Sequence, residues 1–150
     1  MNETHEDLSQ SLEDYLEAIL YLEEQHEAAR VKQIADILQV RMPSVTNALK
    51  HLREKSLVNY TKNSSISLTR EGKELARQVT HRHRTIRTFL KDVLKLSHED
   101  AEETACRIEH VIGNEFTLRL SMLNRFFKTS IAGTPRDDDW KRLLDARYKP

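Results

Sequence analysis

The stretch "VKQIADILQVRMPSVTNALKHLREKSLV", Val31 to Val58, decides the fold. Its first part, "VKQIADILQV", has the apolar spacing of a short amphipathic helix. After a brief break at Arg41-Met42, Pro43 suits the first turn of a second helix. The predicted inner face of that helix consists of Val45, Ala48, Leu49 and Leu52. Two short helices joined by a tight turn, the second polar and basic on its outer face, predict a helix-turn-helix.

The residues that follow change from helical to alternating periodicity. The segments "LVNYTK" and "SISLT" predict two strands joined by "NSS". A small hairpin directly after the second helix is typical of the wing of a winged-helix domain. The alternative is an incidental hairpin in a helical domain, but the order of the elements favours the wing.

Further helices are predicted on both sides of this motif. They run from Ser9 to Glu24, from the cap Thr69 onward, from Ser97 through "AEETACRIEHVIG", from Glu115 to about Phe127, and from about Asp138 to Arg147. Three Gly and three Pro among 150 residues also favour a mainly α protein. We predict an N-terminal winged helix-turn-helix domain at residues 1–74 and a C-terminal helical dimerisation domain at residues 75–150.

Two apolar patterns in the C-terminal half underlie this division. Within "AEETACRIEHVIG" the predicted buried stripe consists of Ala101, Thr104, Ile108, Val111 and Ile112. The next helix ends in an apolar cluster made of Met122, Leu123, Phe126 and Phe127. This cluster exceeds what a core of this size needs, which favours a subunit interface. The alternative is that it caps the core.

Charge is unevenly distributed along the chain, although the formal net charge is zero. Residues 1–29 hold nine Asp or Glu and no Lys or Arg, whereas residues 41–62 hold five Lys or Arg and one acid. A local basic patch of this kind is compatible with nucleic-acid binding. No apolar run is long enough to span a bilayer, so we expect no membrane association. A single cysteine and the absence of a signal-peptide pattern favour a reducing, cytoplasmic setting.

The segment "CRIEH" places three possible metal-binding residues close together. On a helix, Cys106, Glu109 and His110 have the i, i+3 and i+4 spacing and point the same way. Sulfur, carboxylate and imidazole on one face make a plausible metal half-site. The alternative is a partly buried thiol beside an ordinary solvated Glu and His. Because Cys106 lies outside the predicted apolar stripe, the metal site is favoured.

Other candidate residues carry a weaker signal by themselves. His83 lies within the apolar face of the long helix, where a histidine is usually a satisfied core residue. Asp14 and Glu17 lie opposite the apolar stripe of the first helix and are most simply solvent-facing acids. They could also face a second structural element.

Taken together, the motifs resemble the iron- and manganese-dependent repressor family, the diphtheria-toxin-repressor type. The resemblance covers about residues 9 to 125. It rests on "LEDYLEAIL", on "IADILQVRMPSVTNALKHLREKSLV", on "LTREGKELA" after the wing, and on "HRHR" followed by "ACRIEH". The resemblance implies a winged-helix repressor that binds DNA when a divalent metal is bound.

The resemblance also implies a set of metal ligands drawn from three helices. Cys106, Glu109 and His110 match the ligands of the third helix, and His83 matches the histidine of the long helix. Asp14 matches the ligand of the first helix, and Glu17 matches one seen in the manganese-type branch.

The sequence combines ligand residues of the two branches. The aspartate at Asp14 is the manganese-type residue, whereas the cysteine at Cys106 is the iron-type residue. Carboxylates suit Mn(II), and a thiolate raises the affinity for Fe(II). Arg87 and Glu102 stand where the iron-type branch places a Glu and a His of a second metal site. A cation such as Arg87 cannot ligate, so a second ion would need another arrangement, with Glu17 and Glu102 as the candidate ligands.

The same resemblance matches the recognition helix to Pro43 through Arg53 and the wing to Tyr60 through Ser67. From their outward positions near the start of the helix, Ser44, Thr46, Asn47 and Lys50 are predicted to reach base edges. Arg41, Arg53 and Lys62 are predicted to hold phosphates. The predicted DNA-binding set is therefore Arg41, Pro43, Ser44, Thr46, Asn47, Lys50, Arg53 and Lys62.

We therefore expect a homodimeric repressor of metal homeostasis, activated by Mn(II) or Fe(II), that binds a palindromic double-stranded DNA operator. The main alternative is a winged-helix regulator that senses a small organic ligand without metal. An enzyme is disfavoured, because the sequence has no Gly-rich phosphate loop, no nucleophile elbow and no obvious acid–base pair.

Overall fold

The structure, a computed structural model, describes residues 8–61 and 64–147 and is mainly helical, which confirms the predicted fold class. The elements, in chain order, are α1 (Gln10–Glu24), α2 (Val31–Leu38), α3 (Met42–Glu54), β1 (Val58–Asn59), β2 (Ser67–Leu68), α4 (Arg70–Thr88), a π-helical turn (Phe89–Val93), α5 (His98–Ile108), α6 (Asn114–Ser130) and α7 (Pro135–Arg147). None of the helices in the described part of the chain has the length and apolar character needed to cross a bilayer.

The chain divides into two compact units, and the division falls after Thr80, within α4. The boundary predicted after residue 74 lies in the same helix. Each unit has its own apolar core, the first built around α1 to α3 and the second around the end of α4, α5 and α6.

The first unit is built around the predicted helix-turn-helix. Its α2 ends at Gln39, which adopts a left-handed conformation with φ 53°, and α3 begins with Pro43 in its first turn. The predicted inner face of α3 is buried in full: Val45, Ala48, Leu49 and Leu52. These side chains pack with fully buried residues of α1, such as Leu16 and Ile19. Burial of such side chains is the main source of stability for short helices.

The wing is a two-stranded antiparallel hairpin with the registers Val58 to Leu68 and Asn59 to Ser67. Both strands are shorter than predicted. An isolated antiparallel bridge between Ala29 and Ile66 pairs a third segment of the chain with the hairpin. In this bridge the Ile66 amide donates to the Ala29 carbonyl at 2.8 Å. A one-residue bridge leaves no periodicity in the sequence, so this pairing was not predicted.

The base of the wing is held by residues of α1 and α4. The carboxylate of Glu23 accepts a hydrogen bond from the Leu68 amide at 2.8 Å and pairs with Lys73 at 2.8 Å. The Thr69 hydroxyl caps α4 by accepting from the Gly72 amide at 3.0 Å, as predicted. Gly72 lies so close to Leu57 that a Cβ there would overlap the Leu57 carbonyl oxygen.

The second unit has a smaller core, formed by Ile86, Leu90, Ala101, Ala105 and Leu120. Ser97 caps α5 by accepting from the Asp100 amide at 3.0 Å, as predicted. However, α5 ends at Ile108, and Val111 is 79% exposed, so its predicted place in the buried stripe is wrong. Because the helix stops before Val111, the helical spacing no longer decides which way that side chain points.

Only part of the apolar cluster predicted on α6 is exposed in the structure. Phe127 is buried, with an exposure of 6%, whereas Met122, Leu123 and Phe126 are 45–58% exposed. The prediction of an exposed cluster is therefore confirmed for these three residues and wrong for Phe127.

The C-terminal helix α7 is anchored to its unit by polar contacts. The Trp140 indole donates to the Val93 carbonyl at 2.6 Å. The buried carboxylate of Asp137 pairs with Lys95 at 3.1 Å and with Lys141 at 3.2 Å. The hydrogen bond from Lys95, with that from the Gly133 amide, lowers the pKa of Asp137 to about 2. The Lys95 ammonium also lies 5.1 Å from the centroid of the Phe127 ring.

Candidate metal centre and nucleic-acid interface

Three of the predicted ligands meet in the second unit. His83 comes from α4, Cys106 from the last turn of α5, and Glu109 from the residue that caps α5. One potential ligand atom from each of them lies within 4.8 Å of those of the other two. The predicted spacing of Cys106 and Glu109 therefore places both beside an imidazole from another helix.

The imidazole of His83 is held between two carboxylates. Its Nδ1 lies 2.6 Å from Glu109 Oε2 and 3.9 Å from Cys106 Sγ, while its Nε2 lies 2.9 Å from Glu102 Oε1. The hydrogen bond to Glu109 raises the pKa of His83 more than burial lowers it, and Glu102 raises it further. In the absence of metal the imidazole is therefore stabilised in its protonated form.

Glu109 is the buried member of the cluster, with a residue exposure of 2%. Its second oxygen, Oε1, lies 3.1 Å from His110 Nε2, and the His110 side chain is only 4% exposed. Cys106, in contrast, is exposed. The sequence interpretation placed all three on the side of α5 opposite the buried stripe, and for the side chains of Glu109 and His110 that placement is wrong. The helix ends at this residue, and the carboxylate is buried against two imidazoles.

Glu102 contacts the guanidinium of Arg87 as well as the imidazole of His83. Its Oε2 lies 3.2 Å from Arg87 Nη1. Burial raises the pKa of Glu102, but the hydrogen bonds from His83 and Arg87 outweigh burial, and the net result is a lowered pKa. Glu102 is therefore held as a carboxylate.

The donor set fits a divalent transition-metal ion. An imidazole nitrogen, a thiol sulfur and a buried carboxylate oxygen lie within 4.8 Å of one another. The nitrogen and oxygen suit Mn, Fe, Co and Zn, and the sulfur favours Fe, Co and Zn. Metal binding at His83 Nδ1 would have to displace the proton that the imidazole shares with Glu109, because only the free lone pair can ligate.

The remaining predicted ligands, Asp14 and Glu17, belong to the first unit. Both lie on α1 and are half-buried rather than fully solvent-facing. Glu17 accepts a hydrogen bond from the Thr80 hydroxyl at 3.1 Å. Their part as metal ligands stays a prediction.

A basic groove of about 640 Å³ is lined by residues at the start of α2, along α3 and between β1 and β2. Its lining includes Arg30, Lys32, Lys50 and Arg53 together with Tyr60. Arg30 and Lys32 were not among the predicted residues, although their charge next to the start of α2 was visible in the sequence.

The predicted DNA-binding residues that lie within the described ranges are on or next to α3. Arg41, Pro43, Ser44, Asn47, Lys50 and Arg53 are exposed. Thr46 is half-buried, and its hydroxyl donates to the Met42 carbonyl at 3.1 Å. Lys62 lies outside the described residues.

Comparison with known proteins identifies the family. The profile of the iron dependent repressor N-terminal DNA binding domain matches residues 7–66. The profile of the iron dependent repressor metal binding and dimerisation domain matches residues 69–138. The chain belongs to the iron-dependent repressor family. The resemblance inferred from the sequence motifs is thereby confirmed.

Individual relatives agree with this membership of the iron-dependent repressor family. An uncharacterized HTH-type transcriptional regulator of Methanocaldococcus jannaschii is 36% identical over 125 residues, which is 83% of this chain and 100% of that protein. The diphtheria toxin repressor of Corynebacterium jeikeium is 33% identical over 129 residues, 86% of this chain and 54% of that protein. The chain thus spans the archaeal relative in full but about half of the corynebacterial repressor.

A similar solved structure supports the fold. The manganese regulator SloR matches with a TM-score of 0.69 and 33% identity, covering 77% of this chain and 54% of that one.

Proposed function

We propose that this protein is a metal-activated transcriptional repressor, in which Mn(II) or Fe(II) binding at the His83, Cys106 and Glu109 cluster controls binding of a DNA operator. The observation that carries the proposal is the cluster itself, three metal-ligand types within 4.8 Å of one another in a unit that matches the family's metal binding and dimerisation domain. The winged helix-turn-helix of the other unit supplies the DNA-reading element.

The proposed ligand set extends beyond the three clustered residues. His110 is included because it contacts Glu109 at 3.1 Å and can present an imidazole nitrogen. Asp14 and Glu17 are included on the strength of the family resemblance. When bound, the cation would neutralise these carboxylates and favour the arrangement of the protein in which they can share it.

The choice of metal depends on Cys106. Carboxylates and imidazoles alone suit Mn(II), whereas a thiolate strengthens binding of Fe(II), Co(II) and Zn(II). Because the thiol is exposed and its sulfur is 3.9 Å from His83 Nδ1, it is placed to join the ligands of the same ion.

On the DNA side, residues of α3 divide into two groups by position. Ser44, Asn47 and Lys50, near the start of the helix and exposed, are proposed to reach base edges in the major groove. Arg41 and Arg53 are proposed to hold phosphates, together with Lys62, and the lining of the groove adds Arg30 to this group.

A second copy of the chain is the proposed partner of the exposed apolar side chains on α6. Met122, Leu123 and Phe126 are 45–58% exposed and lie in the region that matches the family's dimerisation domain. A homodimer presents two recognition helices to the two halves of a palindromic operator. We further propose a cytoplasmic location, because a repressor acts where the chromosome is, and a regulatory rather than a catalytic role.

DNA binding measured against individual metals tests the proposal. Fluorescence anisotropy would follow binding of an operator, selected from a random-sequence pool in the presence of Mn(II), as Mn(II), Fe(II), Co(II) or Zn(II) is added. We expect specific binding to require metal and to be lost with a chelator. Binding that is insensitive to chelator would refute the proposal and favour a regulator that senses an organic ligand.

The variant Cys106→Ala resolves the part played by the thiol. We expect it to lose most of its response to Fe(II), Co(II) and Zn(II) and to keep more of its response to Mn(II). Arg107→Ala is the matched control, because Arg107 is the next residue of the same helix and its side chain is 76% exposed. An unchanged response of Cys106→Ala to every metal would show that Cys106 is not a functional ligand.

A further inference from the structure

The two ring nitrogens of His83 have different environments. Nδ1 faces the candidate ligands, with Glu109 Oε2 at 2.6 Å and Cys106 Sγ at 3.9 Å. Nε2 lies 2.9 Å from a different carboxylate oxygen, Glu102 Oε1. Only one of the two nitrogens can therefore join Cys106 and Glu109 around an ion, and the other is already directed at Glu102.

Glu102 is in turn fixed by a second contact. Its other oxygen, Oε2, lies 3.2 Å from Arg87 Nη1, so both carboxylate oxygens have partners. Arg87 and His83 are one helical turn apart on α4, and Glu102 reaches both from α5. The Arg87 guanidinium therefore contacts the Glu102 carboxylate, which in turn contacts the His83 imidazole.

This arrangement matches the chemistry of a supporting carboxylate at a metal site. A metal-bound histidine usually donates its other N–H to a carboxylate, which fixes the ring orientation and makes the ligating nitrogen more basic. A carboxylate that accepts from His83 and pairs with Arg87 has both oxygens engaged before any ion is bound.

We propose that Glu102 is a positioning residue for His83, held in place by Arg87, and that it presents His83 Nδ1 to the ion shared with Cys106 and Glu109. This replaces the expectation from the sequence that Glu102 ligates a second ion. The inference rests on the proposed function, because it concerns the same metal centre.

Titration of the metal-free protein with Co(II), without DNA, tests this inference. The thiolate-to-cobalt absorption band reports on the Cys106 site directly. We expect Glu102→Ala to weaken Co(II) binding by about 10- to 100-fold, as is typical when such a supporting carboxylate is removed. Glu102→Gln keeps an oxygen that can accept from Nε2–H, so we expect it to restore most of the affinity. Glu103→Ala is the matched control, since Glu103 is the next residue and its side chain is 64% exposed.

The background variant His83→Ala separates positioning from ligation. If Glu102 acts through His83, then adding Glu102→Ala to His83→Ala costs no further affinity. A further loss in the double variant would mean that Glu102 ligates the ion itself, which would overturn the proposal. An unchanged affinity in Glu102→Ala alone would also overturn it.

Which nitrogen of the His83 ring carries a proton gives a second, independent readout. It is measured in the wild-type protein and does not depend on whether the variants fold. In Zn(II)-loaded protein labelled with ¹⁵N-histidine, we expect the His83 signals of a metal-bound Nδ1 and a protonated Nε2. A metal-bound Nε2 would refute the proposal. Absence of any thiolate-to-cobalt band in the wild-type protein would instead contradict the proposed function.

Discussion

At the residue scale, Gly72 has no room for a side chain larger than its hydrogen. Its position in the first turn of α4 places it against the backbone of Leu57, where a methyl group would overlap the carbonyl oxygen. Because the obstacle is backbone rather than a flexible side chain, either α4 or the wing must shift. We expect Gly72→Ala to destabilise the protein by about 1–3 kcal/mol, in the range of overpacking substitutions.

Urea unfolding followed by circular dichroism measures this effect. Gly113→Ala is the control, because a Cβ at Gly113 meets nothing within 4 Å. Equal stabilities of the two variants would contradict the close packing of α4 against Leu57.

Asp137 makes the anchoring of α7 sensitive to acid. Its pKa is lowered from 3.8 to about 2, so its charge stabilises the folded state fully above 3.8. This contribution is lost as the pH falls through about 2. We therefore expect Asp137→Asn to be less stable than the wild type near neutral pH, with a difference that shrinks as the pH falls from about 4 to about 2.

Trp140 is the only tryptophan of the chain and lies on α7, so its fluorescence during heating at several pH values measures the effect. Asp139→Asn serves as the control, because the Asp139 side chain is 69% exposed and an exposed ion pair contributes little. A constant difference between Asp137→Asn and the wild type across the whole pH range would contradict the role of its charge.

At the residue scale, the sequence predicted the ligand types better than their surroundings. The i, i+3 spacing of Cys106 and Glu109 was readable from periodicity, whereas the place of His83 beside them came from the family resemblance. The burial of Glu109 was not predictable, because it depends on where α5 ends and on which side chains arrive from α4.

At the scale of elements, different residues of α3 are predicted to determine which DNA sequence is preferred and how tightly DNA is bound. Asn47 and Arg53 are both exposed on this helix. We expect Asn47→Ala to relax discrimination at one base position by about 1–3 kcal/mol, as for the loss of a bidentate contact to a base. We expect Arg53→Ala to weaken binding to all sequences alike and to reduce the salt slope by about one.

Anisotropy titrations of the operator and its single-base variants, at several salt concentrations, distinguish these effects. Arg142→Ala is a suitable control, since it also removes a positive charge, its side chain is 76% exposed and it lies on α7. If both α3 variants lose affinity uniformly across operator variants, the assignment of Asn47 to base reading is wrong.

The helix starts that are marked by a capping residue or by a proline were predicted well. Thr69 and Ser97 act as helix caps and Pro43 lies in the first turn of α3, as their side-chain chemistry indicates. The π-helical turn at Phe89–Val93 and the bridge at Ala29 were missed. Neither has a local sequence signal, because both depend on packing against distant parts of the same unit.

At the scale of the whole molecule, the exposed face of α6 is predicted to hold two copies together. Phe126 is 56% exposed, and Met122, one turn away, is 58% exposed. We expect Phe126→Glu to convert a dimer into a monomer, because a carboxylate would be buried without a partner in the interface. Operator affinity should fall with it, since one recognition helix reads only one half-site.

Sedimentation analysis of Phe126→Glu at several protein concentrations measures the oligomeric state. Arg142→Ala is the control, because the Arg142 side chain is 76% exposed and pairs with Asp139 within α7. A variant that stays dimeric would place the interface elsewhere.

Metal and operator must also affect each other's binding reciprocally. If Mn(II) strengthens operator binding by a certain factor, the operator must strengthen Mn(II) binding by the same factor. Coupling of this kind is typically about 1–3 kcal/mol, or about 5- to 150-fold. Calorimetric Mn(II) titrations with and without the operator would measure it, with a scrambled duplex as the control. Equal Mn(II) affinities in all three samples would exclude metal control of specific DNA binding.

The contact of Glu23 with the wing has a mechanical consequence. Strands of two residues contribute few ladder hydrogen bonds, so the orientation of the hairpin depends on its contacts with the rest of the unit. Glu23 holds both the Leu68 amide and the Lys73 ammonium from α1, the helix that also carries Asp14 and Glu17. We expect a rotation of α1 about its axis to change the orientation of the hairpin, because Glu23 joins the two in addition to the apolar core that they share.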